Sequence, residues 1–191
     1  YAGSNKEYRT RGAYQYNNAK TTITGLANAS NTNTHNGGLL GDIVNSSPVY
    51  IGRAERPWND QQYGLPGKRY SSFVTAMEDR PPMVYVGAND GMMHAITVEN
   101  VSLAVTAGQE IFSYIPNILA STGDDGLHSL AIGEEDFQHQ FFVDSTVTVS
   151  DVFIDFYSNT PTPEWRTILI GSLRTGGKGL YALDITCPIT G

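Results

Sequence analysis

The side chains with most chemistry to offer are four histidines, His35, His94, His128 and His139. His128 and His139 bracket Glu134-Glu135-Asp136, and imidazole beside carboxylates is the ligand chemistry of zinc and related centres. Their spacing fits no ligand motif, so an ordinary structural role outweighs the metal reading. His94 lies inside an apolar run and reads as a packed, hydrogen-bonded side chain. Asp124-Asp125-Gly126 with Glu134 and Glu135 is the nearest approach to a calcium loop. It lacks the Asp-x-Asp-x-Asp-Gly order and distal carboxylate that such a loop needs. Gly171 to Gly179 is superficially a phosphate loop, but Gly179 follows Lys178 where a Ser or Thr would hold magnesium. There is no Gly-x-Ser-x-Gly elbow, and no motif directs a base at Cys187. The expectation is therefore no catalytic, no cofactor-binding and no metal-ligating residue in this chain.

Cys187 is the single cysteine among 191 residues and cannot form an internal bridge. It reads either as half of a disulfide to a partner or as a buried thiol. Asn-x-Ser triplets at Asn28, Asn45 and Asn100 matter only in a glycosylating host.

Twelve basic against nineteen acidic residues give a net charge of −7. No Lys/Arg cluster is present to displace counterions from phosphates, which argues against nucleic acid as a partner. No run of about 18 apolar residues exists, so no membrane-spanning helix is expected. Charged residues make up 16% of the chain, against roughly 25% in ordinary soluble domains. Glycine, tyrosine and β-branched residues are plentiful, a composition suited to the strands and turns of exported β proteins. The chain begins without the basic and apolar regions of a leader, so the leader is expected to have been removed or the chain to be an internal piece.

The elements that must position these side chains follow a repeat. Val84-Tyr85-Val86-Gly87, the turn Asn89-Asp90-Gly91 and Met92-Met93-His94-Ala95-Ile96 predict a hairpin. Thr167-Ile168-Leu169-Ile170-Gly171, a turn at Gly176-Gly177-Lys178-Gly179 and Leu180 to Ile185 predict a second. The repeat aligns Gly87 with Gly171 and Met93 with Tyr181. A strand precedes each hairpin, within Asp42–Ile51 and within Phe142–Ile154; the matched triplets Asn45-Ser46-Ser47 and Asp144-Ser145-Thr146 open them. Thr106 to Ile115 supplies a fourth strand to the first copy; the second copy breaks off before its own.

Strand, hairpin and closing strand make one blade of a β-propeller. The fold class is all-β, with antiparallel four-stranded, quinoprotein-like blades, incomplete in this chain. Short helical turns are expected in the insertion from Pro116 to Phe137, and a long excursion from Arg53 to Arg80 ends in the apolar patch Phe73-Val74. Residues 1–39 form a polar leading segment, its stretch from Asn28 to Gly38 a surface loop, and 40–191 the first blades. Blades bury their faces only against neighbours, so two blades are part of a domain.

Several segments resemble the C-terminal propeller of the PilC/PilY family of type IV pilus tip-associated adhesins and assembly factors of Gram-negative bacteria. They are Leu40 to Tyr50, Tyr70-Ser71-Ser72-Phe73, Pro82 to Ala95, His139 to Asp144, and Trp165 to Asp184, in that order. The resemblance covers roughly residues 40–186. It implies a non-enzymatic protein, exported through the periplasm to the pilus tip or outer surface. There it acts with minor pilins in pilus assembly, opposes retraction, and meets host or surface ligands in adhesion. The family's calcium loop lies in later blades, and none of its ligands maps onto this chain. Ser145 stands where the family has glycine, and Ser172 and Arg174-Thr175 vary the glycine-rich segment.

Two other readings compete. A quinoprotein dehydrogenase fragment would need stacking tryptophans near the repeat ends, whereas Trp58 and Trp165 lie elsewhere. A glycan- or peptide-binding secreted propeller would draw on the tyrosine-rich loops.

Overall fold

The computed structural model describes residues 15–17, 22–24, 40–60, 67–103, 105–120, 126–131, 138–155 and 163–189. The loop read from Asn28 to Gly38 lies outside them. Strands β1 (Gln15–Asn17) and β2 (Thr22–Thr24) pair antiparallel. The first full sheet runs β3 (Val49–Ile51), β4 (Met83–Gly87), β5 (Met93–Thr97) and β6 (Glu110–Tyr114), each antiparallel to the next. The second runs β7 (Thr148–Ile154), β8 (Glu164–Ser172) and β9 (Leu180–Asp184). One sheet of four strands and one of three, both antiparallel meanders, are the blades of an incomplete propeller.

The registers reproduce the repeat. Gly87 pairs with Met93 and Gly171 with Tyr181; Val49 pairs with Tyr85 and Val149 with Leu169. The strands are shorter than the apolar runs at their starts, because the two first strands open on segments that bond across the sheets instead. Residues 42–48 and 142–147 are thus irregular, yet Phe142 and Val143 are fully buried. β8 is longer than expected, reaching back to Glu164 opposite Ile154.

The insertions carry 3-10 turns at Asn117–Leu119 and Leu127–Ala131, as their short apolar pairs predict. The excursion after β3 holds a helix that the residue pattern hides, α1 (Tyr70–Ala76). Ser71, Ser72, Val74 and Thr75 are poor helix formers, and no side chain caps its start. Packing selects it: Tyr70 and Phe73 sit with Trp165 and Ala54 in a small second core, flanked by Phe153 and Met77. Tyr70 meets Trp165 edge-on at 4.7 Å, an arrangement that adds about 1 kcal/mol to area burial.

The main core lies between the sheets. Met83, Tyr85, Met93 and Ala95 from the first meet Val149, Leu169 and Tyr181 from the second, with Phe142, Val143 and Leu119 filling the gaps. Gly171 faces the Tyr181 ring: a Cβ there would lie 2.2 Å from it, so only glycine lets that ring cross the strand. The Tyr181 hydroxyl is buried without a hydrogen-bond partner among the described residues. Such an atom costs about 1–3 kcal/mol. Tyr181→Phe is accordingly expected to leave stability unchanged or raise it by about 1 kcal/mol in urea unfolding; a clear loss would reveal a partner for the hydroxyl.

Candidate functional site

Two sets of buried polar side chains join the sheets. The first surrounds the turn Asn89-Asp90-Gly91. Gly91 has φ +87°, and a Cβ on it would strike the Leu127 side chain, which explains the residue at that corner. Asn89 donates from its backbone to the Asp42 carbonyl and from Nδ2 to Asp42 Oδ2 (3.1 Å), while its Oδ1 accepts the Phe142 N–H. Asp90 accepts the Gly41 and Met92 amides at 2.8 and 3.1 Å. His94 is wedged between two carboxylates, Nδ1 2.7 Å from Glu110 and Nε2 3.1 Å from both oxygens of Asp90.

Asp144, 1% exposed, accepts from the backbone N–H and Nδ2 of Asn45, and Thr146 Oγ1 accepts the Ser47 amide. His139 reaches Asp42 at 2.7 Å on the rim. Partial burial works to raise the Asp42 carboxyl, but the bonds from Asn89 and His139 outweigh it and hold the group below its usual range.

The second set lies under the excursion. Tyr70 and Thr167 each donate to one oxygen of Asp151 at 2.6 Å. Arg80 donates from Nε to the Gly52 carbonyl (2.7 Å) and from Nη1 to Thr167 Oγ1 (2.6 Å). Arg56 donates its backbone N–H to the Tyr70 oxygen and its Nη2 to the Val149 carbonyl, both at 2.8 Å. Burial, and then the bond to Asp151, push the Tyr70 hydroxyl well above its ordinary value, so it stays protonated as a donor. Burial pulls the Arg80 guanidinium in the opposite direction.

Above this set, a cleft of about 460 Å³ opens between β3 and β7. A larger, shallow groove of about 1050 Å³ runs between residues 54–60 and α1, with Trp58, Asp60, Arg69 and Thr75 on its walls.

The side chains singled out from the sequence separate. Asp124, Asp125, Glu134, Glu135, Asp136 and His35 lie outside the described residues, as does the His128 side chain. His139 bonds Asp42, a partner 97 positions away that no local motif announces. His94 is buried and hydrogen-bonded, as its place in an apolar run indicates. Cys187 is exposed and free, which corrects the buried-thiol alternative: it sits just past β9, outside the core. Asn45 spends its Nδ2, the atom a glycan would occupy, on Asp144.

Gly171 to Gly179 is a strand end and a 3-10 turn at Arg174–Gly176. Among the described residues no three acidic, histidine or cysteine side chains gather to hold a cation. No helix of the described residues is long and apolar enough to cross a membrane. Asp151 and Arg80 carry no motif in the sequence, Asn89 and Asp90 are legible there only as a turn, and Asp144 only as the start of a repeated triplet.

The family model of the PilY1 beta-propeller domain matches residues 40–190. The type IV pilus biogenesis factor PilY1 of Pseudomonas aeruginosa is 43% identical over 162 residues, 84% of this chain and 12% of that protein. A PilY1 homolog of Xylella fastidiosa is 34% identical over 151 residues, 79% of this chain and 11% of its own length. The chain thus spans about an eighth of the relatives it matches. The crystal structure of the P. aeruginosa PilY1 C-terminal domain shares 35% identity and a TM-score of 0.46, over 73% of this chain and 23% of that one. With two blades in the register of the repeat and a family match across nearly all of them, the chain belongs to the PilY1 β-propeller family.

Proposed function

We propose that this chain is the non-enzymatic propeller portion of a type IV pilus biogenesis factor. It is displayed at the pilus tip or outer surface after export and works with minor pilins in assembly, against retraction and in adhesion. Residues 1–39 are its polar leading segment and 40–191 its blades. The observation that carries the reading is the 43% identity over 84% of the chain to a protein named a pilus biogenesis factor. The geometry is consistent with it. The buried polar groups around Asp144 and Asp151 are spent on fixing one sheet against the other, which suits a scaffold.

Deleting the gene is expected to abolish surface pili and twitching, with complementation restoring both, and the tagged protein should recover minor pilins. Normal piliation and motility in the mutant would sink the reading. So would recovery of glycans in place of pilins, or quinone-dependent dye reduction by the purified protein.

A further inference from the structure

We propose that the cleft between β3 and β7 binds an extended peptide bearing a carboxylate, with Arg80 as its anchor. The argument starts from Arg80 itself. It is 9% exposed, and two of its three nitrogens are committed, to Gly52 and Thr167. Among the described residues its Nη2 has no hydrogen-bond partner, yet it is not among the sealed, unsatisfied atoms, and Arg80 lines the cleft. No carboxylate of the described residues forms an ion pair with it. The nearby Asp151 has given each oxygen to a hydroxyl, one to Tyr70 and one to Thr167. Asp151, reached through Thr167, offsets part of the desolvation of this cation. The Nη2 side of the guanidinium faces the cleft and is open to a second anion.

The surroundings narrow the ligand. Arg53 and Arg56 line the same cleft, so three arginines stand against Glu55 and Asp151 in a chain whose net charge is −7. The remaining Nη2 can give a carboxylate a charge-assisted hydrogen bond, stronger than the one it would give a neutral side chain. The walls include Ile51 of β3 and Val149 and Ser150 of β7. Among the described residues each of these strands pairs on one side only, β3 with β4 and β7 with β8. Unpaired strand edges accept an added strand through main-chain hydrogen bonds, here at groups other than the Val149 and Gly52 carbonyls, which Arg56 and Arg80 already hold. At about 460 Å³, the cleft lies at the small end of ligand sites, which run roughly from 300 to 1,000 Å³. That suits one acidic side chain on an extended segment.

The test uses full-length protein and a labelled, end-capped peptide, Thr-Val-Glu-Val-Thr, with its glutamine counterpart and inorganic phosphate as controls. The glutamate peptide is expected to bind saturably and the glutamine peptide about tenfold more weakly. Hydrogen exchange should slow over residues 49–56 and 148–152. Arg80→Gln should abolish the difference between the peptides. Because that change also removes bonds to Gly52 and Thr167, Arg53→Gln on the rim provides the second arm; among the described residues its side chain meets only Glu78, in an exposed pair at 4.0 Å. It should weaken binding about fivefold with an unchanged melting temperature. Equal affinity for the two peptides, no saturable binding, full binding by Arg53→Gln, protection elsewhere, or phosphate binding without peptide binding would each overturn the proposal. The outcome is independent of piliation, so it stands or falls apart from the pilus reading.

Discussion

Asp151→Ala is expected to cost about 3–5 kcal/mol, the range seen when one member of a buried charged set is removed. Asp151 is 4% exposed, and its loss strands the Tyr70 and Thr167 hydroxyls while removing the negative charge nearest Arg80. Since total stabilities run about 5–15 kcal/mol, much of the folded population is at stake. Urea unfolding followed by the emission of Trp58 and Trp165 measures it. Asp151→Asn keeps an acceptor for one hydroxyl and should lie between the two. A shift below about 1 kcal/mol for Asp151→Ala would show that water in the cleft already serves Arg80 and both hydroxyls.

Gly176→Ala should be similarly damaging for a steric reason. A Cβ on Gly176 would sit 2.0 Å from the Phe142 carbonyl oxygen and 2.6 Å from its carbonyl carbon, which are backbone atoms of a fully buried residue. Neither can swing aside as a side-chain tip would. Overpacking of this kind costs about 1–3 kcal/mol, and more where backbone must move. Gly179→Ala is the matched control. Its Cβ would first meet the end of the Ile118 side chain at 3.0 Å, a contact that one rotation relieves. The ratio of the two unfolding shifts checks the argument; equal shifts would show that the turn from Arg174 onward gives way as a whole.

Local grammar explains why so much of the architecture is legible in the residues. Gly87 and Gly171 mark equivalent positions because each opens a hairpin, and the structure pairs them with Met93 and Tyr181, one step apart in the same pattern. Period-two alternation and turn residues act over a handful of positions, so they can be read directly. The helix at Tyr70 could not be read that way: its residues disfavour helix, and it exists because Trp165, far along the chain, covers Tyr70 and Phe73.

The polar sets were hidden for the same reason. Asn45 and Asp144 are 99 positions apart, and Arg80 and Thr167 are 87 apart. Asp144 is legible locally as the start of a repeated triplet, but nothing there marks it as a buried acceptor. The turn Asn89-Asp90-Gly91 was visible as a turn, but not as the junction that also holds Asp42 and Phe142. His94 was legible as a packed side chain because an apolar run announces burial, though its two carboxylate neighbours were not.

The triplets that open the two repeats touch each other, and they do so unequally. Asn45 gives two hydrogen bonds and Asp144 receives both; the Ser47 amide gives one and Thr146 receives it. Two identical triplets would be interchangeable, but these form a plug and a socket. An aspartate at position 45 would set carboxylate against carboxylate, and an asparagine at 144 would surrender the charge that strengthens the pair. The single difference between amide and acid therefore works as an address label, fixing which of the two neighbouring sheets gives and which receives at their junction.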